Sequence, residues 1–177
     1  RPSWPDVKLM VYVTEWGRFL RRRREYDRGV TLFDQGPIYA LVRLKAQGSN
    51  VTGRARFERW WDEMLERWAR ELDAIVWLDA PDDVLRARVD GRDQRHTTKG
   101  APADDGRRFI ERYRRLFEET LERIDVPGGP RVVRIDTGIT SAEGVAAEIG
   151  SLSRGAVSTP ERGAAATLRG GDRGRRG

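Results

Sequence analysis

The chain has no cysteine, one histidine, and three lysines among 34 basic residues. Without cysteine there is no disulfide framework and no thiolate metal site. A single imidazole, His96, excludes a histidine-based metal centre. Apolar residues are scarce as well: 38% of the sequence is hydrophobic, below the usual share for a globular chain. No apolar run approaches the ~20 residues of a membrane-spanning helix, and no signal-peptide pattern is visible in the 177 residues. The expectation is a cytoplasmic bacterial-type protein without a membrane partner.

What is abundant is arginine. The net charge of +6 invites a nucleic-acid reading, but its distribution argues against one. Ser153 to Gly177 holds six arginines against Glu161 and Asp172, which is +4 of the +6 and leaves +2 for the body. That stretch has no aromatic residue and only Val157 and Leu168 as larger aliphatics. It cannot bury enough to order itself. The division expected is a domain over 1–152 and a disordered Gly/Ala/Arg-rich tail over 153–177.

Hydrophobic periodicity lays out the body. Leu9, Tyr12, Val13, Trp16, Phe19 and Leu20 share one stripe, which predicts a helix over Pro5–Tyr26. Val30 to Phe33 is short, apolar and partly β-branched, the pattern of a strand covered on both faces. Pro37 opens a helix to about Ala46. Phe57, Trp60, Trp61, Met64, Leu65, Trp68 and Leu72 repeat with a helical period, and such a stripe is core first. Ala74 to Leu78 reads as a strand, and Pro81-Asp82-Asp83 as a helix start. Gly91 to Asp105 is polar and reads as a mobile loop. A helix through Phe109, Tyr113, Phe117 and Leu121 follows, then a strand over Val132–Ile135 and a helix from about Ser141 to Leu152. Short apolar strands alternating with amphipathic helices predict an α/β layer, its three strands parallel in one sheet.

Two constellations carry chemistry. Asp34 closes the first strand, and ligands of open α/β sheets bind at carboxyl ends of strands. Arg88 and Arg92 are four apart and share a helix face, with Arg95 and Lys99 following in the loop. Guanidinium forks match phosphate oxygens in pairs. Gly48-Ser49-Asn50-Val51-Thr52-Gly53-Arg54-Ala55 has the glycine spacing of a phosphate loop, but Arg stands where that loop needs Lys and Ala where it needs Ser or Thr.

Three segments in order carry a family resemblance: Val30-Thr31-Leu32-Phe33-Asp34-Gln35-Gly36-Pro37; Ala74-Ile75-Val76-Trp77-Leu78-Asp79-Ala80-Pro81, leading to Arg86, Arg88, Arg92, Arg95 and Lys99; and Val132-Val133-Arg134-Ile135-Asp136-Thr137 before a helix. Over residues 5–152 the chain resembles the C-terminal two-thirds of a P-loop kinase of the thymidylate kinase and deoxynucleoside kinase type. The strand and Gly-rich loop that such a kinase carries first have no counterpart here. The resemblance implies a three-layer α/β sandwich with a parallel sheet, of P-loop NTPase kinase type, incomplete at the N-terminus. It implies ATP-dependent phosphorylation of a small nucleoside- or nucleotide-like acceptor by the full-length protein, with ATP and Mg²⁺ as cofactors and this chain inactive alone. A fragment, or a reading frame started late, is the expectation.

By the same resemblance Asp34 orients the acceptor or the metal shell, and Arg92 and Arg95 act with it on the transferring phosphoryl. Arg88 and Lys99 belong to the phosphate lid. Gln35, which replaces the family's Arg, and Tyr39 fall on the acceptor side. Thr137 and Gly138 sit beside the base. No residue is assigned to a metal. Two other readings are a non-catalytic partner subunit, its sheet completed by another chain, and a nucleic-acid-binding protein using the basic tail.

Overall fold

Ser3 starts the structure with a reciprocal cap. Its Oγ accepts the Asp6 amide at 3.3 Å, and Asp6 Oδ2 accepts the Ser3 amide at 3.0 Å. Helix α1, Trp4–Tyr26, grows from it. The computed structural model describes residues 2–26, 29–47, 52–91 and 103–157. After α1 come α2 (Pro37–Gln47), α3 (Ala55–Glu71), β1 (Ala74–Asp79), α4 (Asp82–Asp90), α5 (Ala103–Glu122), β2 (Arg131–Asp136) and α6 (Ala142–Val157). Among the described residues no helix is long and apolar enough to cross a membrane.

The core sits between helices. Trp61 and Trp68 of α3 are fully buried, and each indole N–H finds a carbonyl: Trp61 donates to Leu41 O and Trp68 to Val13 O, both at 3.0 Å. A buried indole needs such a partner, so the two bonds fix α3 against α2 and α1. Lys45 Nζ lies 3.8 Å from the Trp61 ring centroid and the Arg123 guanidinium 5.1 Å from it. The tryptophan-rich stripe is therefore core, as its period predicts.

β1 and β2 are parallel and pair in register from Ala74↔Arg131 to Asp79↔Asp136. Ile75, Trp77 and Asp79 alternate onto one face. On that face Trp77 stacks on Phe117 of α5, ring centroids 6.0 Å apart, and Ile75 joins the helical core. Helix α6 also packs on β1. Its start is the expected one, with Gly144 N donating to Ser141 Oγ at 3.2 Å. The chain is thus a mixed α/β protein with a parallel sheet.

Two expectations need correction. Val30–Phe33 is not a strand, so the sheet among the described residues has two strands rather than three. The segment joins no strand of that sheet. Phe33 turns its ring inward against Trp16 and Trp68, at 5.5 and 6.2 Å, while Leu32 is 71% exposed. One half-buried aromatic anchors the segment, and a strand covered on both faces is ruled out by its exposed Val30 and Leu32. Second, α6 runs to Val157, five residues past Leu152 and into the stretch assigned to the tail. Residues 158–177 lie outside the described residues.

Candidate functional site

The carboxyl ends of β1 and β2 exit side by side because the strands are parallel and in register. The turn after β2 is held onto the turn after β1. Thr137 donates to the Asp79 carbonyl twice, from its amide at 2.7 Å and its hydroxyl at 2.9 Å. Gly138 packs so tightly beside Pro81 that a Cβ there would lie 2.8 Å from Pro81 Cδ. Its amide donates to Asp136 Oδ1 at 2.7 Å, closing a small turn.

Arg88, on the last turn of α4, reaches across to this junction. Its guanidinium donates to Thr137 Oγ1 and to the Thr137 carbonyl, each at 2.7 Å. The structure thus brings together two elements assigned separately from the sequence: Arg88 and the Thr137–Gly138 turn. It also shows that the Thr137 amide, hydroxyl and carbonyl and the Gly138 amide are already partnered. A ligand that approaches the Thr137 carbonyl from the same side competes with Arg88.

Beneath the junction lies an ionic knot that the sequence reading missed. Asp79 is the buried last residue of β1. Its Oδ1 accepts Arg114 of α5 at 3.2 Å, and its Oδ2 accepts Arg134 of β2. Arg114 also donates to the Ala80 carbonyl at 2.7 Å and pairs with Asp82. Arg134 lies over the Trp77 ring, 4.2 Å from its centroid, and reaches Glu118 at 3.5 Å. Burial pushes the Asp79 carboxyl up, but the Arg134 and Arg114 hydrogen bonds outweigh it and leave its pKa below the ordinary value. For Arg114, burial pulls down, and the bonds to Asp82 and Asp79 raise it above normal. The signal was there in principle. Ile110, Arg114, Phe117 and Leu121 are spaced 4, 3 and 4, so Arg114 sits on the apolar stripe of its helix, where an arginine needs a buried partner.

The acceptor-side residues fall elsewhere. Asp34 and Gln35 form an exposed turn between α1 and α2, with Gln35 at φ 50°. Asp34 does not end a sheet strand, so the position from which its role was argued is not the one it occupies. Tyr39, half-buried on α2, approaches α5, its ring centroid 6.4 Å from that of Phe117. Tyr113 lies in the same aromatic group; burial and the neighbouring Tyr39 push its hydroxyl up to about 12. Arg92, Arg95, His96 and Lys99 lie outside the described residues.

A shallow cleft of about 460 Å³ opens elsewhere, lined by Lys45, Glu58, Arg112, Arg115 and Glu119 among others. None of the expected site residues lines it. Lys45 is paired with Glu58 at 3.3 Å and Arg115 with Glu119 at 3.9 Å.

For the implied cofactors the fit divides. The Thr137–Gly138 turn can present backbone groups to a base once Arg88 leaves. A Mg²⁺ ligand set is not gathered among the described residues: both Asp79 oxygens are taken by arginines, Asp136 Oδ1 by the Gly138 amide, and no group of three metal-binding side chains forms. Compared with family models, curated proteins and solved structures, the chain matches none.

Proposed function

We propose that the chain serves ATP-dependent phosphoryl transfer to a small nucleoside- or nucleotide-like acceptor, as part of a P-loop kinase-type protein. The observation that carries the reading is the junction at the carboxyl edge of the parallel pair. There the turns after β1 and β2 touch and an exposed cation, Arg88, sits between a helix and the Thr137–Gly138 turn. Carboxyl edges of parallel strands are where α/β proteins bind nucleotides.

In this reading Thr137 and Gly138 contact the base through backbone groups. Arg88 changes partner as the nucleotide arrives, leaving the Thr137 carbonyl and turning to phosphate oxygens, for which a guanidinium fork is suited. Arg92, Arg95 and Lys99 would supply further positive charge to the transferring phosphoryl, where such charge counts most. Tyr39 would wall the acceptor side, with Gln35 and Asp34 in the turn before it. The Gly-rich phosphate loop that such transfer requires has no counterpart in the sequence.

The test is an amide-resolved titration of the chain with ATP, followed by NMR. Shifts concentrated at 79–82, Arg88 and 136–139 are expected. Millimolar ATP that leaves those amides unmoved, or that moves only those around Lys45 and Arg112, would overturn the reading.

A further inference from the structure

Helices α2 and α5 pack against each other, and the faces that meet carry donors without acceptors. On α2, Tyr39 and Arg43 are four apart and share a face. On α5, Phe109, Tyr113 and Phe117 repeat every fourth residue, and Arg112 sits beside Tyr113. Tyr39 and Phe117 bring the two faces together, ring centroids 6.4 Å apart, and Phe109 packs on Tyr113 at 4.7 Å. Both tyrosines and Arg43 are half-buried, and Arg112 is exposed. The charges of Arg43 and Arg112 both act on the Tyr113 hydroxyl, and so does Tyr39.

None of the four polar side chains is matched by an acceptor of opposite charge. Among the described residues neither hydroxyl has a hydrogen-bond partner and neither guanidinium an ion pair; Arg43 makes only a long bond to Gln47 of its own helix, at 3.4 Å. Helix α2 contains no acid. On α5, Asp105, Glu118 and Glu119 are paired with Arg108, Arg134 and Arg115. Burial, with Tyr39 beside it, pushes the Tyr113 hydroxyl up to about 12, so it keeps its proton and stays a donor at neutral pH.

We propose that Tyr39, Arg43, Arg112 and Tyr113 bind a phosphate dianion, free or as a monoester, between α2 and α5. Charge selects the ligand. A phosphate monoester carries about two negative charges and three acceptor oxygens at neutral pH, which two guanidiniums and two hydroxyls match. A carboxylate or a phosphodiester brings one charge and leaves one guanidinium uncompensated. Guanidinium forks also suit phosphate oxygens in pairs. Arg112 lines the shallow cleft of about 460 Å³, so a ligand has an approach from solvent. Phe109 and Phe117 flank the tyrosines and offer apolar walls to whatever group the phosphate carries. The proposal does not rest on the kinase reading, although Tyr39 is common to both: its ligand is tested without ATP, and neither Arg88 nor the Thr137–Gly138 turn takes part.

The test is an NMR titration of the whole chain with phenyl phosphate, inorganic phosphate and benzoate at constant ionic strength. Both phosphates should move the amides of Tyr39, Arg43, Arg112 and Tyr113. Benzoate, with the same ring and one charge, should bind at least tenfold more weakly than phenyl phosphate. Tyr113→Phe keeps the ring and removes the donor; it should weaken phenyl phosphate about tenfold with Tm retained, since the lost hydrogen bond is to a charged group. Arg43→Gln with Arg112→Gln should abolish binding. Phenyl phosphate bound more tightly than inorganic phosphate supports the site as one for a monoester, and the reverse order supports it as one for the free ion. No shift at millimolar phosphate, benzoate bound as tightly as phenyl phosphate, or a Tyr113→Phe chain that binds like the parent would each overturn the proposal. So would shifts gathered at Arg18–Arg23 or at Arg88 instead, which would give the anion to another cationic surface.

Discussion

Arg88 grips Thr137 by both its carbonyl and its hydroxyl, across 49 positions of sequence. The grip is exposed, so it adds little to stability; pairs of this kind contribute about 1 kcal/mol or less. Its interest is competitive. A base and a guanidinium cannot both use the Thr137 carbonyl in the same geometry.

From this follows a split between ligands. Arg88→Ala should weaken ATP binding at least tenfold, because the phosphates lose a cation, yet leave adenosine unchanged or bind it more tightly. Titration calorimetry with both ligands measures the split. Equal weakening of the two would show that Arg88 only shapes the turn.

Asp79→Asn should cost about 2–3 kcal/mol at neutral pH, since it leaves two guanidiniums facing a neutral amide. The pH dependence has a definite sign. The folded-state pKa of Asp79 lies below its ordinary value of 3.8, so its contribution is complete above that value and fades as pH falls through the lower one. Urea unfolding of the two proteins should therefore converge at acid pH. A gap of the same size at pH 7 and in strong acid would sink the assignment.

Gly138→Ala should separate the two turns. The added methyl would sit 2.8 Å from Pro81 Cδ and 2.9 Å from Asp136 Oδ1, and a proline ring gives way poorly. A loss of about 1–3 kcal/mol is expected from such overpacking. Thermal unfolding checks it, and an unchanged Tm would mean that the junction is loose.

Trp68→Phe should be milder than truncation but clearly destabilising, by about 1–2 kcal/mol, because it removes the hydrogen bond to Val13 O and leaves a small void. Asp34→Ala, in an exposed turn, should stay within about 0.5 kcal/mol of the parent. Chemical denaturation of the pair ranks them, and the reverse order would contradict the burial described.

Much of this architecture is legible in the residues. The stripe from Phe57 to Leu72 could only be a buried amphipathic helix, and the runs at Ala74 and Val132 emerge as the parallel pair. Val30–Phe33 misleads because three apolar residues and a β-branched Thr31 state a preference for burial and say nothing about a pairing partner. Phe33 packs half-buried against helices, and among the described residues no strand comes alongside. The site is legible in parts. Arg88, Thr137 and Gly138 stand out singly, while their meeting depends on strand register. Arg114 and Arg134 were hidden by numbers: where arginine is this common, the two that serve a buried carboxylate look like the rest.

The register of β1 and β2 has a kinetic corollary. Ala74 pairs with Arg131, and everything between them must be threaded as a crossover before a single ladder bond can form. Contacts so distant along the chain close late, because loop entropy is lost before they return anything. Helices α2 and α3, joined by the Trp61–Leu41 bond across only 20 positions, have a shorter wait. Refolding is expected to begin there, so that truncating Trp61 slows folding while truncating Ile75 or Val132 mainly speeds unfolding. The Arg88–Thr137 grip, which exists only once the strands are aligned, would then be among the last features of the native state to appear and the first to go.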